Sequence, residues 1–196
     1  MNTKRLIIVA VGGQGNLLAS RILGEAALLS GVPVRMSEIH GMAQRGGVVE
    51  SAILFGEGRS TIISDGEADV LVSFEPSEAM RALNRCNNRT IVITNLSPLP
   101  PFTTIIGRGT YPDLKAGLAL IREKTGGLIA LDATDLAIQA GNVMAVNMVL
   151  LGALIRTGIL PLSDENVRAA IRTRTRKSTV DVNLKAFDSG YQAGGK

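Results

Sequence analysis

One cysteine, one histidine and no tryptophan stand among the 196 residues, and aromatics make up only 3% of them. Each scarcity excludes something. With Cys86 alone there is no internal disulfide, and no iron–sulfur cluster can be held by this chain, since a cluster needs about four thiolates. With His40 alone there is no histidine-rich metal site, and no metal centre is expected. Few aromatics leave little to stack on unpaired bases, which argues against a single-strand binder, and no nucleic-acid partner is expected. Long apolar runs are scarce too. Leu6 to Val11 is too short for a signal-peptide core. Leu136 to Ile155 lacks formal charge for 20 residues, but Gln139, Asn142 and Asn147, with a break at Gly141-Asn142, point to a buried helix rather than a membrane span. A reducing, cytoplasmic setting away from the membrane is the expectation.

What is present suits a folded domain. Hydrophobic residues reach 45% and charged ones 19%, enough to fill an aliphatic core. The net charge is +4, yet Arg168, Arg172, Arg174, Arg176 and Lys177 place five cations in one stretch without an acid. The rest of the chain is therefore nearly neutral. The patch sits at and beyond a predicted helix end, where cations offset the dipole; it is either a solvated terminus or a docking surface for an acidic or phosphate-bearing partner.

The order of elements reads as α/β. Leu6 to Val11 is a β-branched run of the kind buried on both faces of a sheet. Gly12-Gly13-Gln14-Gly15 follows, then helical spacing over Asn16 to Ser30 with Gly31 as a stop. Val32 to Met36 reads as a second strand, giving a Rossmann-like opening βαβ unit with a right-handed crossover. Val48 to Phe55, turned at Gly56-Glu57-Gly58 toward Thr61-Ile62-Ile63, reads as an antiparallel hairpin. Strands over Asp69 to Phe74, Thr90 to Asn95 and Leu128 to Asp132 alternate with helices over Glu75 to about Leu83 and Asp113 to Lys124. Leu96 to Gly109, with Pro98, Pro100 and Pro101, reads as loop or edge structure. Asp135 to Ala140, Ala145 to Thr157, a helix N-capped by Ser163 and a last one over Val180 to Tyr191 follow. The expected fold is a three-layer α/β domain over 1–196, with a mostly parallel mixed sheet, an antiparallel hairpin and a helical C-terminal part over about 134–196.

Two motifs can carry chemistry. The turn Gly12, Gly13, Gln14, Gly15 exposes backbone N–H groups at a helix start, which suits a phosphate. The dinucleotide pattern nevertheless fails, with Leu18 where a small residue is wanted. The turn is either a phosphate contact or a tight turn packed on a neighbour. The second motif, Ser37 to Gly47, reads as a polar loop and joins Glu38, His40, Gln44 and Arg45 with Gly46 and Gly47. His40 can move protons near working pH; the segment is a catalytic, contact or packing loop. Arg45 can offer a planar fork of donors to a carboxylate or phosphate. Ser64-Asp65-Gly66 ahead of Asn87-Asn88 imitates a thiamine motif at too short a gap and is better read as a turn. Nothing beside Cys86 makes it a nucleophile.

These residues carry a resemblance. Val11 to Gly15, Ser37 to Gly47, Asp69 to Phe74 with Glu75-Pro76-Ser77-Glu78-Ala79, Tyr111-Pro112, Asp132-Ala133, Asn147 to Gly152 and Asn183 to Phe187 resemble the beta subunits of indolepyruvate ferredoxin oxidoreductases. More broadly they are similar to the gamma domain of the 2-oxoacid:ferredoxin oxidoreductases. The resemblance implies a subunit of an enzyme that oxidatively decarboxylates aryl 2-oxoacids to acyl-CoA and passes electrons to ferredoxin. It implies an alpha partner carrying thiamine diphosphate, Mg2+ and iron–sulfur clusters, coenzyme A as co-substrate, and a hetero-oligomer in which this chain alone is inactive, with a homodimer as the form of the isolated chain. The loop holding His40, Gln44 and Arg45 is then expected to face the alpha subunit or the mouth of its active site. A pyruvate or 2-oxoglutarate gamma chain, or a stand-alone Rossmann-like nucleotide binder, are the alternatives.

Overall fold

The computed structural model describes residues 3–40, 47–58, 60–100, 104 and 106–195. Its frame is one six-stranded sheet: β1 (Lys4–Val11), β2 (Val34–His40), β3 (Val48–Phe55), β4 (Val70–Ser73), β5 (Ile91–Asn95) and β6 (Gly127–Leu131), in spatial order β2-β3-β1-β4-β5-β6. Three of the five pairings, β1 with β4, β4 with β5 and β5 with β6, are parallel, and only β3 runs against the rest. Around the sheet lie α1 (Asn16–Leu29), α2 (Pro76–Arg81), α3 (Leu114–Lys124), α4 (Ala133–Ala140), α5 (Val146–Arg156), α6 (Asp164–Arg174) and α7 (Val180–Ala193).

The pleat of β1 separates two cores. Leu6, Ile8 and Ala10 face one way, into a large aliphatic cluster with α1 and α4 to α7. Ile7 and Val9 face the other way, into a smaller cluster with Ala79 at α2, Ala82 and Ile121 of α3. Side chains alternate along a strand, so a run buried throughout needs cover on both faces, and the three-layer α/β arrangement supplies it.

The charge-free run bends where expected. α4 stops at Gly141 (φ +115), and a short 3-10 turn over Val143–Ala145 leads into α5. Asn147 to Ile155 are all buried, the mark of a helix enclosed on every side. Gly152 and Gly190 let α5 and α7 touch: a Cβ on Gly152 would stand 2.0 Å from the Phe187 carbonyl oxygen, and one on Gly190 would stand 1.8 Å from that of Val149. Ser163 caps α6, its hydroxyl accepting from Asn166 N–H at 3.2 Å. Among the described residues no helix is long and apolar enough to cross a membrane.

Two expectations are corrected. Ser37 to His40 is strand, not loop, because each residue pairs with β3, from Ser37↔Ala52 to His40↔Val49. The hairpin is therefore β2–β3, and Thr61-Ile62-Ile63 forms no strand; Ile63 instead buries itself against the smaller core. β3 also wedges between β1 and β2, so the strands of the opening βαβ unit run parallel without being neighbours.

Candidate functional site

In a sheet of this kind ligands gather beyond the carboxyl ends of the parallel strands. At that edge the chain places its glycine turn, the loop end of the β2–β3 hairpin and an open cleft. Gly13 (φ +103) and Gly15 (φ +86) take the left-handed conformation that lets β1 turn at once into α1. The Gln14 side chain folds back over the turn: its Oε1 accepts from Val11 N–H at 2.8 Å and its amide donates to the Phe74 carbonyl at 3.3 Å. Asn147 of α5 donates to the Gly15 carbonyl at 3.3 Å, and a Cβ on Gly15 would lie 2.6 Å from that amide nitrogen.

The two glycine motifs meet. Gly12 N–H donates to the Gly47 carbonyl at 2.8 Å, so the turn and the loop end of the hairpin share one edge. Glu38 is exposed on β2 and His40 ends that strand, paired in register with Val49. Gln44, Arg45 and Gly46 lie outside the described residues.

Beside the turn opens a cleft of about 450 Å³. Gly12, Gly13 and Gln14 form one side, and Asn95, Ser97, Pro98 and Leu99 the strand-end wall. Thr134 closes the end, while Val143, Met144 and Val146 supply an apolar rim. Leu99, Val143 and Met144 are all exposed there. Asn95 sets the wall: its amide donates to the Phe74 carbonyl (3.3 Å) and the Thr134 hydroxyl (3.1 Å), and its Oδ1 accepts from Ala133 N–H at 3.0 Å. The Phe74 carbonyl thus ties together the ends of β1, β4 and β5.

Glu75, next in the chain, is fully buried and N-caps α2. Its Oε2 accepts from Ser77 N–H (2.7 Å), the Ser77 hydroxyl (2.5 Å) and Glu78 N–H (3.1 Å). Its Oε1 accepts from Leu99 N–H at 3.2 Å and from the Tyr111 hydroxyl. Burial, and then this bond to Glu75, push the Tyr111 phenol up, so it stays protonated.

Burial also raises the pKa of Glu78; Arg81, 3.4 Å away, pulls against that shift and Glu75 adds to it. A carboxyl that holds its proton more tightly folded than unfolded stabilises most at low pH, and that contribution is lost as pH climbs through the raised native value. Glu78→Gln is therefore expected to be more stable than the parent at about pH 7, with the gain fading toward about pH 3, below the ordinary range of a Glu carboxyl. Urea melts at the two pH values check this; a variant less stable at neutral pH would contradict it.

The other predicted positions sit elsewhere. Arg168 pairs with Asp188 and with Asp164 of its own helix, and Arg174 pairs with Glu25 of α1. Arg172, Arg176 and Lys177 make no ion pair among the described residues. Cys86 follows a 3-10 turn at the opposite edge of the sheet, and burial pushes its thiol up to about 11, which leaves little thiolate. Asp65-Gly66 is a turn, with Asn84 donating to the Asp65 carboxylate at 2.9 Å and Asn87 to the Gly66 carbonyl at 2.6 Å. Among the described residues no three His, Cys, Asp or Glu side chains gather as a metal site.

Sequence reasoning gave no site role to Asn95, Thr134, Val143 or Met144. Asn95, a polar residue ending a buried strand, was the one available signal.

A family model described as pyruvate ferredoxin/flavodoxin oxidoreductase matches residues 5–193. The chain is 44% identical to the indolepyruvate oxidoreductase subunit IorB of Pyrococcus horikoshii, over 98% of this chain and 96% of that one. It is 42% identical to the subunit of the same name from Methanothermobacter thermautotrophicus, over 96% of each. The crystal structure of the pyruvate oxidoreductase subunit PORC from Thermotoga maritima superposes with a TM-score of 0.72 at 26% identity, over 98% of this chain and 97% of that one.

Proposed function

From the premise that the chain belongs to the pyruvate ferredoxin/flavodoxin oxidoreductase family, we propose that it is the beta-type subunit of an indolepyruvate ferredoxin oxidoreductase. Its role is to complete the active site of a partner alpha subunit that carries thiamine diphosphate, Mg2+ and the iron–sulfur clusters. The assembly decarboxylates an aryl 2-oxoacid, transfers the acyl group to coenzyme A and delivers the electrons to ferredoxin. The observation that carries this reading is the meeting of the glycine turn, the loop end of the hairpin and the open cleft at one sheet edge.

The chain's own side chains bind and shape. Cys86, with its raised pKa, stands at the other edge of the sheet and is poorly suited to nucleophilic attack. The cleft suits the methyl and methylene groups of the pantetheine arm of coenzyme A, because its rim is aliphatic. The hairpin tip, with His40, Gln44 and Arg45, meets the alpha subunit.

The test is reconstitution. Adding this chain to the alpha subunit is expected to restore indolepyruvate- and coenzyme A-dependent reduction of ferredoxin. Equal turnover by the alpha subunit alone would overturn the reading, and faster turnover of pyruvate or 2-oxoglutarate would move it to another branch of the family. Arg45→Ala should weaken assembly or turnover about 10- to 150-fold without unfolding the chain, the usual cost of losing a charge-assisted contact of about 1.5–3 kcal/mol. Titration of one subunit with the other, read by activity, measures it; unchanged assembly and kinetics would make the tip merely structural.

A further inference from the structure

The cleft wall is fastened at its near end by its own strand neighbours. Leu96 N–H donates to the Leu131 carbonyl at 2.9 Å, and the Ser97 hydroxyl donates to Asp132 at 2.8 Å. Two residues further on, Leu99 depends on something else. Its N–H reaches Oε1 of Glu75, and the other group on that oxygen is the Tyr111 hydroxyl, 36 residues along from Glu75. Oε2 is held on α2 by three donors, so the carboxylate cannot turn away. Leu99 itself is 45% exposed and lines the cleft together with Val143 and Met144.

We propose that Tyr111 is a positioning residue of the cleft: through Oε1 of Glu75 it fixes Leu99, and so sets the width open to the co-substrate. This rests on the reading of the cleft as the seat of coenzyme A. Tyr111 touches neither co-substrate nor reacting atoms. Removing its hydroxyl leaves Oε1 with one donor instead of two and lets the Leu99 end of the wall shift. The effect belongs to binding, so it is expected in KM rather than kcat.

Two variants of this chain, each assembled with the alpha subunit, test the inference. Tyr111→Phe is expected to raise KM for coenzyme A about ten-fold, with a much smaller fall in kcat, and to speed amide exchange at Leu99. Met144→Glu places a charge on the rim without touching Glu75; it is expected to raise the same KM and leave Leu99 exchange alone. If Met144→Glu raises KM while Tyr111→Phe changes neither KM nor exchange, the role of Tyr111 is overturned and the cleft reading stands. If neither variant moves KM, the cleft reading falls and the inference with it. A fall in kcat for Tyr111→Phe at constant KM overturns the inference as well.

Discussion

Gly152→Leu is expected to lower the stability of the chain by about 4 kcal/mol, the upper range for overpacking, and its Tm by roughly 8–16 °C for a domain of this size. Helix propensity alone gives the opposite sign, since replacing a helical glycine gains up to about 1 kcal/mol. Packing wins because the first added carbon would stand 2.0 Å from the Phe187 carbonyl oxygen and 2.7 Å from the Tyr191 nitrogen. These are backbone atoms of α7, which no rotamer change can move aside. The two helices must separate, and the contact that buries Phe187 opens. Gly152→Ala tests the same contact with the smallest possible step. Thermal unfolding of both variants checks the claim; a Leu variant melting within about 2 °C of the parent would show that the helices part at little cost.

Glu75→Ala should be comparably severe, about 3–5 kcal/mol in urea unfolding. Five donors lose their acceptor at once: the amides of Ser77, Glu78 and Leu99 and the hydroxyls of Ser77 and Tyr111. Glu75 is fully buried, so water cannot take the carboxylate's place beside Ser77 and Glu78 without local opening, and each group left unpaired there costs at least about 1 kcal/mol, while the Leu99 and Tyr111 donors are only part-buried. Loss of the N-cap of α2 is part of that sum. Glu75→Gln keeps one acceptor oxygen and should fall between parent and Ala. A loss below about 1 kcal/mol for the Ala variant would mean that the donors find other partners.

Local chemistry explains which parts of this fold were legible. Leu6 to Val11 declares a covered strand by its own composition. Ser163, followed by Asp164 and Glu165, marks a helix start. Gly141-Asn142 marks a break within an otherwise apolar stretch. Ser37 to His40 carries no such mark: an edge strand with an exposed face tolerates Ser and Glu, and only pairing with β3 makes it a strand. Thr61 to Ile63 has strand composition but no partner, and propensity without a ladder does not make a sheet. At the cleft the glycine turn was readable because glycine reports backbone conformation directly. Asn95, Glu75 and Asn147 act through bonds spanning 21 to 132 residues of chain, and no spacing rule anticipates those. The basic stretch was visible as charge, but its division into paired and unpaired cations depended on Glu25, Asp164 and Asp188 across two neighbouring helices and its own.

The wedged position of β3 governs the order in which the sheet can assemble. β1 and β2 flank one helix and run the same way, so an early chain can pair them directly as a simple crossover. In the folded sheet β3 occupies the slot between them. Closing the short span from His40 to Val49 costs less chain entropy than bringing β3 to β1 across α1 and β2, where the register runs from Val11↔Val48 to Lys4↔Phe55. The segment that joins β2 to β3 is also the one proposed above to meet the partner subunit.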